Sequence, residues 1–112
     1  MKKKKHFLML KPVRDFLKTQ TGDIRQELNH IIWRLEVDGS LEMPYGEKIS
    51  NENIFVIRVI QTGNVRVFYV YGTKNMIYGI HAYNKKTMTI PEHHKKYAQK
   101  VLRSLIAGGL VK

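Results

Sequence analysis

The sequence contains no cysteine, and this absence excludes disulfide bonds and thiolate metal sites. It also lacks long hydrophobic runs, since no segment approaches the roughly 20 apolar residues that a membrane-spanning helix requires. The apolar run at residues 7–10 is shorter than that of a secretory signal and is followed by Lys11 and Pro12. We therefore expect a cytoplasmic protein with a basic, frayed end at residues 1–5.

Acidic residues are scarce. The chain has 9 Asp and Glu against 20 Lys and Arg, which gives a formal net charge of +11 and a pI near 10.0. Such a surface attracts nucleic acid, anionic membrane or an acidic protein, and charge alone does not separate these partners. The hydrophobic fraction of 43% is ordinary for a globular protein, and 112 residues predict a single domain, residues 1–112.

The first third of the chain predicts a strand and two helices. The segment "HFLML" favours a strand, and Pro12 suits the first turn of a short helix, "PVRDFLKTQ". From Asp23, apolar residues recur at spacings of three and four, so a second helix is predicted. Asp23 is its predicted N-cap, with Gln26 at capping-box spacing, and Gly39 ends it. The two helices should form a hairpin.

The rest of the chain predicts a sheet and a last helix. After the loop "SLEMPYGEKISNEN", three extended segments, "IFVIRVIQ", "VRVFYVYG" and "MIYGIHAY", are joined by tight turns and predict an antiparallel meander. Thr89 and Glu92 have capping-box spacing before a helix that ends at Gly108 and Gly109. The predicted fold is α+β in the order β-α-α-β-β-β-α, with the first strand at the sheet edge and the helix hairpin on one face.

Two arginines occupy the middle of predicted strands. Because alternate residues of a strand face opposite sides, Arg58 should lie on the face away from the helix hairpin, and Arg66 beside it. Paired arginines suit bidentate phosphate contacts. The alternatives are two solvated arginines, or arginines paired with Glu42 or Glu47.

The third strand of the meander ends in "IHAYNKKT", which should bring His81, Tyr83, Lys85 and Lys86 to the same rim. Cations can stabilise the charge of a phosphodiester transition state, and a histidine or tyrosine can transfer protons. An aromatic ring can also stack on an unpaired base. Taken singly, Tyr83 could be a core residue, His81 a satisfied sheet residue and the lysines an ordinary charged turn.

Metal-dependent and serine-based chemistry have weaker support. His93 and His94 are adjacent on a predicted helix and point in different directions, without a carboxylate cluster to complete a metal site. There is no glycine-rich phosphate loop, and Ser40, Ser50 and Ser104 do not assemble into a recognisable triad. We expect no metal and no cofactor.

Several strings together resemble the RelE/ParE toxin superfamily. They are "KPVRDFL", "MPYGEKI", the strand with Arg58, "VRVFYVY" with Arg66, and "IHAYNKKTMTIP". The resemblance is strongest to the HigB-like, phage-derived branch and runs from about Lys11 to Leu105. Its most specific part is the aromatic-x-K-K-T-x-x-x-P string that ends at Pro91, which in that branch usually begins with Phe where this chain has Tyr83.

The resemblance implies a toxin of a type II toxin-antitoxin module that cleaves mRNA, commonly at the ribosomal A site. Cleavage would need no metal, since the ribose 2′-hydroxyl attacks the adjacent phosphate. The implied partners are mRNA on the ribosome and an antitoxin, often with a helix-turn-helix, whose acidic segment would cover the basic sheet; no membrane is implied.

The resemblance also assigns residues. Arg58 and Arg66 match the strand arginines and would hold the scissile phosphate, while Lys85 and Lys86 match the paired lysines and would position the RNA backbone. His81 matches a frequent histidine of the same strand. For Tyr83, the expected role is to pack or to stack on a base.

The chain differs from the HigB-like branch at a position that often carries a carboxylate. The branch often has Glu two residues before the strand arginine, where this chain has Val56. If that carboxylate served as the general base, this chain lacks it. Two other functions stay open: a DNA-gyrase inhibitor of the ParE kind, and a non-catalytic basic module that binds nucleic acid.

Overall fold

The computed structural model describes residues 2–49 and 52–112, in which five strands form one sheet and three helices pack on it. The elements are β1 (His6–Met9), α1 (Lys11–Lys18), α2 (Gly22–Asp38), β2 (Gly46–Lys48), β3 (Phe55–Val59), β4 (Val65–Tyr71), β5 (Met76–Asn84) and α3 (Glu92–Ala107). The strand order is β1-β5-β4-β3-β2, with β1 parallel to β5 and the other pairs antiparallel. The predicted α+β class, the meander and the edge position of the first strand are confirmed.

One strand was not predicted. The segment Gly46–Lys48 falls within the predicted loop "SLEMPYGEKISNEN", yet it pairs with β3 as the second edge of the sheet. Three residues are too few to show an alternating pattern, which is why the sequence alone gives no sign of it. The sheet therefore has five strands where the sequence predicts four.

The helix hairpin packs on one face of the sheet. Leu28 and Leu35 of α2 and Val13 of α1 are fully buried against Ile57 and Val67. The predicted N-cap of α2 was wrong, because the Thr21 hydroxyl accepts the hydrogen bond from the Ile24 N–H at 3.4 Å. The predicted stop is confirmed, since Gly39 adopts a left-handed conformation with φ of +83°.

The C-terminal helix α3 packs on the other face. Ala98, Leu102 and Leu105 bury against β-strand residues that include Val56 and Phe68. The face away from the helix hairpin, on which Arg58 and Arg66 were predicted to lie, is thus partly covered by α3. The capping-box prediction for α3 was also wrong, because Pro91 itself occupies the N-cap position and Glu92 is the first helical residue. The predicted end is confirmed, with Gly108 as the C-cap.

A β-bulge in β5 decides which side chains share the α3 face. In the register with β4, Tyr69 pairs with Gly79 and Phe68 pairs with His81, so Ile80 is an extra residue. Simple alternation would separate Ile80 from Tyr83, whereas both belong to the cluster under α3. The bulge therefore brings His81 and Tyr83 to the α3 face.

The basic N-terminal segment, predicted to be frayed, contacts α2 over part of its length. Lys3 forms an ion pair with Glu36 at 2.9 Å, and the backbone N–H groups of Lys4 and Lys5 donate to the Glu36 carbonyl. The Glu36 carboxylate also accepts from the Phe7 N–H at 2.9 Å. Within the described ranges, no helix has the length and apolar character needed to span a bilayer.

Candidate functional site

Three predicted site residues form a row across the centre of the sheet. Arg58 of β3 lies directly opposite Arg66 of β4, and Arg66 lies directly opposite Tyr83 of β5. Directly opposite residues on neighbouring strands share a face, so all three project toward the α3 side. The sheet thus brings together residues that are 25 positions apart along the chain, Arg58 and Tyr83.

Arg66 is a buried cation without a carboxylate. Its side chain is 5% exposed, and Nη1 donates to the carbonyl oxygens of Val65 at 3.2 Å and Val59 at 3.5 Å. Burial, and then the positive charge of Arg58, lower the pKa of Arg66. Among residues 2–49 and 52–112, no acidic side chain forms an ion pair with either arginine.

Two like charges facing each other destabilise a sheet, and a buried charge without a partner is costly. An anion held between Arg58 and Arg66 would remove both penalties. Since Arg58 is half-buried while Arg66 is buried, such an anion would approach from the Arg58 side. The row is therefore a candidate phosphate site.

Tyr83 contributes a buried hydroxyl. The residue is 5% exposed, and its ring stacks on His94 with centroids 4.0 Å apart and meets Phe68 edge-on at 5.6 Å. Its packing partners are thus protein rings. Burial raises the pKa of Tyr83 even though Arg66 acts in the opposite direction. The hydroxyl has no hydrogen-bond partner in the part of the chain that the structure describes.

His81 is held by a second histidine. Its Nε2 lies 2.7 Å from Nδ1 of His94, so one ring donates to the other. Burial, followed by the nearby His94 and His93, lowers the pKa of His81 to about 4. The ring of His81 is accordingly neutral near pH 7, and burial, followed by the charge of His93, also lowers the pKa of His94. Because of this pairing, Nε2 of His81 is not free for a substrate. The sequence suggested His94 only as a possible metal ligand, so its pairing with His81 was not predicted.

Lys85 and Lys86 follow the end of β5. The Lys85 N–H donates to the Asn64 carbonyl at 2.6 Å, just before β4 begins, so the lysines stand at the end of the sheet that carries Arg66. Lys85 is half-buried and Lys86 is exposed. Neither ammonium group forms an ion pair with a described residue. The predicted cations therefore lie at one end of β4 and β5.

Val56 occupies the position at which the HigB-like branch often has a glutamate, and a glutamate lies beside it on the neighbouring strand. Val56 is fully buried under α3, and its directly opposite neighbour in the register is Glu47 of β2. From the sequence, Glu47 was expected only as a possible ion-pair partner of the arginines. Its place beside Val56 could not be foreseen, because β2 itself was not predicted.

Two other locations are less suited to a polyanion. A cavity of about 510 Å³ lies on the α2 side and is lined by both acidic and basic side chains, among them Glu27, Arg34 and Asp38. No group of three or more potential metal-ligating side chains occurs in residues 2–49 and 52–112. The row of Arg58, Arg66 and Tyr83 stays the best-supported site.

Most of the chain is similar to a known protein family. Residues 15–103 match the model of the family described as phage-derived protein Gp49-like (DUF891). The match covers more than half of the chain and includes every residue of the candidate site. No curated protein matches the chain.

Proposed function

The chain belongs to the Gp49-like family of phage-derived proteins, a RelE-like toxin family, and from this premise we propose that it is a type II toxin that cleaves mRNA. We also propose that the chain belongs to the HigB-like branch of this family and that it cleaves messages on the ribosome. This assignment is supported by the sequence strings shared with that branch and by the placement of the cations.

The observation that carries the proposal is the facing pair Arg58 and Arg66. Neither guanidinium has a carboxylate partner among the described residues, and one of them is buried. Arginine binds phosphate oxygens through paired N–H groups, so a phosphate between the two would satisfy both. Lys85 and Lys86, at the same end of the sheet, would hold the neighbouring phosphates.

The proposed reaction uses a nucleophile that belongs to the substrate. The ribose 2′-oxygen attacks the adjacent phosphorus, the bond from phosphorus to the 5′-oxygen breaks, and the products are a 2′,3′-cyclic phosphate and a 5′-hydroxyl. Negative charge increases on the phosphoryl oxygens in the transition state. Arg58 and Arg66 would stabilise that charge, and the strand register holds their backbone positions directly opposite each other.

An antitoxin would have to neutralise this face. With a net charge of +11, the chain favours an acidic partner segment, and electrostatic complementarity speeds association and selects partners. We propose that the cognate antitoxin lays such a segment over Arg58 and the lysines, and that it carries a helix-turn-helix.

The test is inducible expression in bacteria, with mRNA 5′ ends mapped by primer extension within minutes of induction. Wild type should arrest growth and produce new in-frame cuts in translated messages. Arg58→Ala should abolish both, while Arg103→Ala should behave as wild type because Arg103 is an exposed arginine on α3. Arg66→Met, which keeps much of the buried volume, should also be inactive, and thermal melting must show that it is folded.

Other outcomes would overturn the proposal. Intact messages accompanied by DNA damage would favour gyrase inhibition of the ParE kind. Intact messages with salt-sensitive RNA binding would favour a non-catalytic basic module. Cutting that persists in folded Arg58→Ala and Arg66→Met proteins would sink the site assignment.

A further inference from the structure

Arg66 and Tyr83 form the buried end of the row, and ion pairs do not hold this end in place. The two residues lie directly opposite each other, and each is 5% exposed. The hydrogen bonds of Arg66 go to backbone carbonyls, and the Tyr83 hydroxyl has no partner among the described residues. The place of the Arg66 side chain therefore depends on what packs around it, and the ring of Tyr83 is its neighbour on one side.

The ring of Tyr83 is itself held from two directions. On the sheet, Phe68 meets it edge-on at 5.6 Å and His81 lies alongside at 6.0 Å. From the helix layer, His94 of α3 stacks on it face to face, with centroids 4.0 Å apart and an angle of 15° between the planes. Within the described chain, His94 is the closest aromatic neighbour of Tyr83 and the one that α3 supplies.

The orientation of His94 is fixed by a hydrogen bond. Its Nδ1 lies 2.7 Å from Nε2 of His81 on β5, so the edge of the His94 ring is tied to the sheet while its face covers Tyr83. At this end of α3 the N-cap, Pro91, provides no side-chain hydrogen bond. The buried apolar anchors of the helix lie further along it, at Ala98, Leu102 and Leu105. His94 thus connects the first turn of α3 to the sheet.

We propose that His94 is a positioning residue for RNA cleavage, an inference that rests on the proposed function: tied to His81, it holds the ring of Tyr83 in place, and Tyr83 confines Arg66 to the position in which it meets the phosphate. His94 touches no substrate in this role. His81 becomes the anchor of His94 instead of a group that transfers protons. Burial lowers the pKa of both imidazoles, in keeping with rings that pack as neutral groups.

Loss of the His94 ring has a specific consequence. Space opens on the α3 side of Tyr83, so the tyrosine ring can shift, and the guanidinium of Arg66 gains the same freedom. Arg58 and the two lysines after β5 lie outside this aromatic cluster and keep their contacts with RNA. Because a misplacement of about 1 Å at a reacting centre can cost about 100-fold in rate, cleavage should slow while RNA affinity stays the same.

The experiment is single-turnover cleavage of a defined mRNA programmed on ribosomes, together with RNA affinity and thermal melting of each protein. His94→Ala should cleave at least about 10-fold more slowly than wild type, with RNA affinity within about twofold. His94→Phe keeps an aromatic face on Tyr83 and should recover most of the rate. His94→Gln keeps hydrogen-bonding groups near His81 but has no ring, and it should recover little.

A double-mutant cycle tests whether His94 acts through Tyr83. If it does, adding His94→Ala to a Tyr83→Leu protein should slow cleavage by no more than about a further twofold, because the contact that His94 supports is already gone. The matched control is His30→Ala, which removes another histidine that stacks on an aromatic ring, Trp33, but lies on α2. This control should cleave within about twofold of wild type.

The outcomes separate the inference from the proposed function. If wild type cleaves and folded His94→Ala cleaves within about threefold of it, His94 has no positioning role and the proposed function stands. Fully additive effects in the cycle, or a rate that follows the melting temperature through the His94 series and not the presence of a ring, would equally overturn the role of His94. If wild type leaves the mRNA intact, the proposed function fails and the role of His94 in cleavage fails with it.

Discussion

Tyr83 and Arg66 are buried at a cost to the stability of the fold. Each is about 95% buried, and each keeps a polar group that the described protein does not fully satisfy. Burying an unpaired polar group costs about 1–3 kcal/mol. A site that holds such groups in place is prepared for a ligand that completes their hydrogen bonds.

The hydroxyl of Tyr83 offers a direct test at this scale. Tyr83→Phe keeps the ring contacts with His94 and Phe68 but removes the unpaired hydroxyl, so the free energy of unfolding should stay equal or rise by up to about 1 kcal/mol. Urea denaturation measures the change. A decrease of more than about 1 kcal/mol would show that the hydroxyl has a stabilising partner in the folded protein.

The pairing of His81 with His94 predicts a dependence of stability on pH. Because the folded state lowers the pKa of His81 from 6.5 to about 4, the unfolded chain binds more protons between these values. Stability should therefore be complete above about pH 6.5 and fall as the pH drops toward 4, by on the order of 2 kcal/mol for this half-buried ring.

Urea denaturation at a series of pH values measures this loss. Substitution of His81 by Gln should flatten the dependence, whereas the same change at the exposed His30 should leave it intact. An equal slope in wild type and His81→Gln would contradict the assignment.

Among the elements, the short edge strand β2 and the bulge in β5 determine the composition of the site. Without β2, Glu47 would have no fixed place beside β3. The bulge brings His81 and Tyr83 to the face that holds Arg58 and Arg66. Both are local irregularities, and both lie next to the candidate site, as β-bulges often do.

The C-terminal end of α2 depends on a residue in the left-handed conformation. Gly39 has φ of +83°, a conformation that costs a residue with a Cβ about 1–2 kcal/mol. Gly39→Ala should lower the free energy of unfolding by about that amount. The control is Gly22→Ala at the start of the same helix, where an added Cβ would approach only Arg25 Nη2, at 3.9 Å, and where alanine favours the helix. Thermal melting should show Gly39→Ala below wild type and Gly22→Ala at or above it.

The sequence predicts most of this architecture, and the exceptions have physical reasons. Long periodic segments such as α2 and the meander were predicted because their apolar spacing repeats several times. The strand β2 is too short to repeat, and a bulge changes register without changing composition. The face that α3 covers was not predicted, because the amphipathic pattern of a helix shows that one side is buried but does not show which surface it packs against.

In the candidate site, too, some features can be predicted from the sequence and others cannot. Strand alternation predicts Arg58 and Arg66 on one face, and the structure places them directly opposite each other. The burial of Arg66, the link from His81 to His94 and the position of Glu47 depend on tertiary packing. No local pattern in the sequence contains that information.

For the whole molecule, the net charge of +11 would make the proposed RNA binding sensitive to salt. Each phosphate contact with single-stranded RNA contributes about −0.7 to the slope of log affinity against log salt concentration. Arg58→Ala should reduce the magnitude of that slope by about 0.7, while Arg103→Ala, on the exposed side of α3, should not change it. Fluorescence anisotropy with a short labelled RNA measures the slope. Equal reductions by both variants would indicate diffuse binding over the whole surface.

The parallel pairing of β1 with β5 has a consequence for synthesis. The first strand, His6–Met9, leaves the ribosome well before its neighbour in the sheet, Met76–Asn84. The pairing of β1 with β5 must wait until β5 has emerged, and β5 also carries Tyr83, the last member of the row. A chain from which β5 has not yet emerged therefore has neither a closed sheet nor an assembled row.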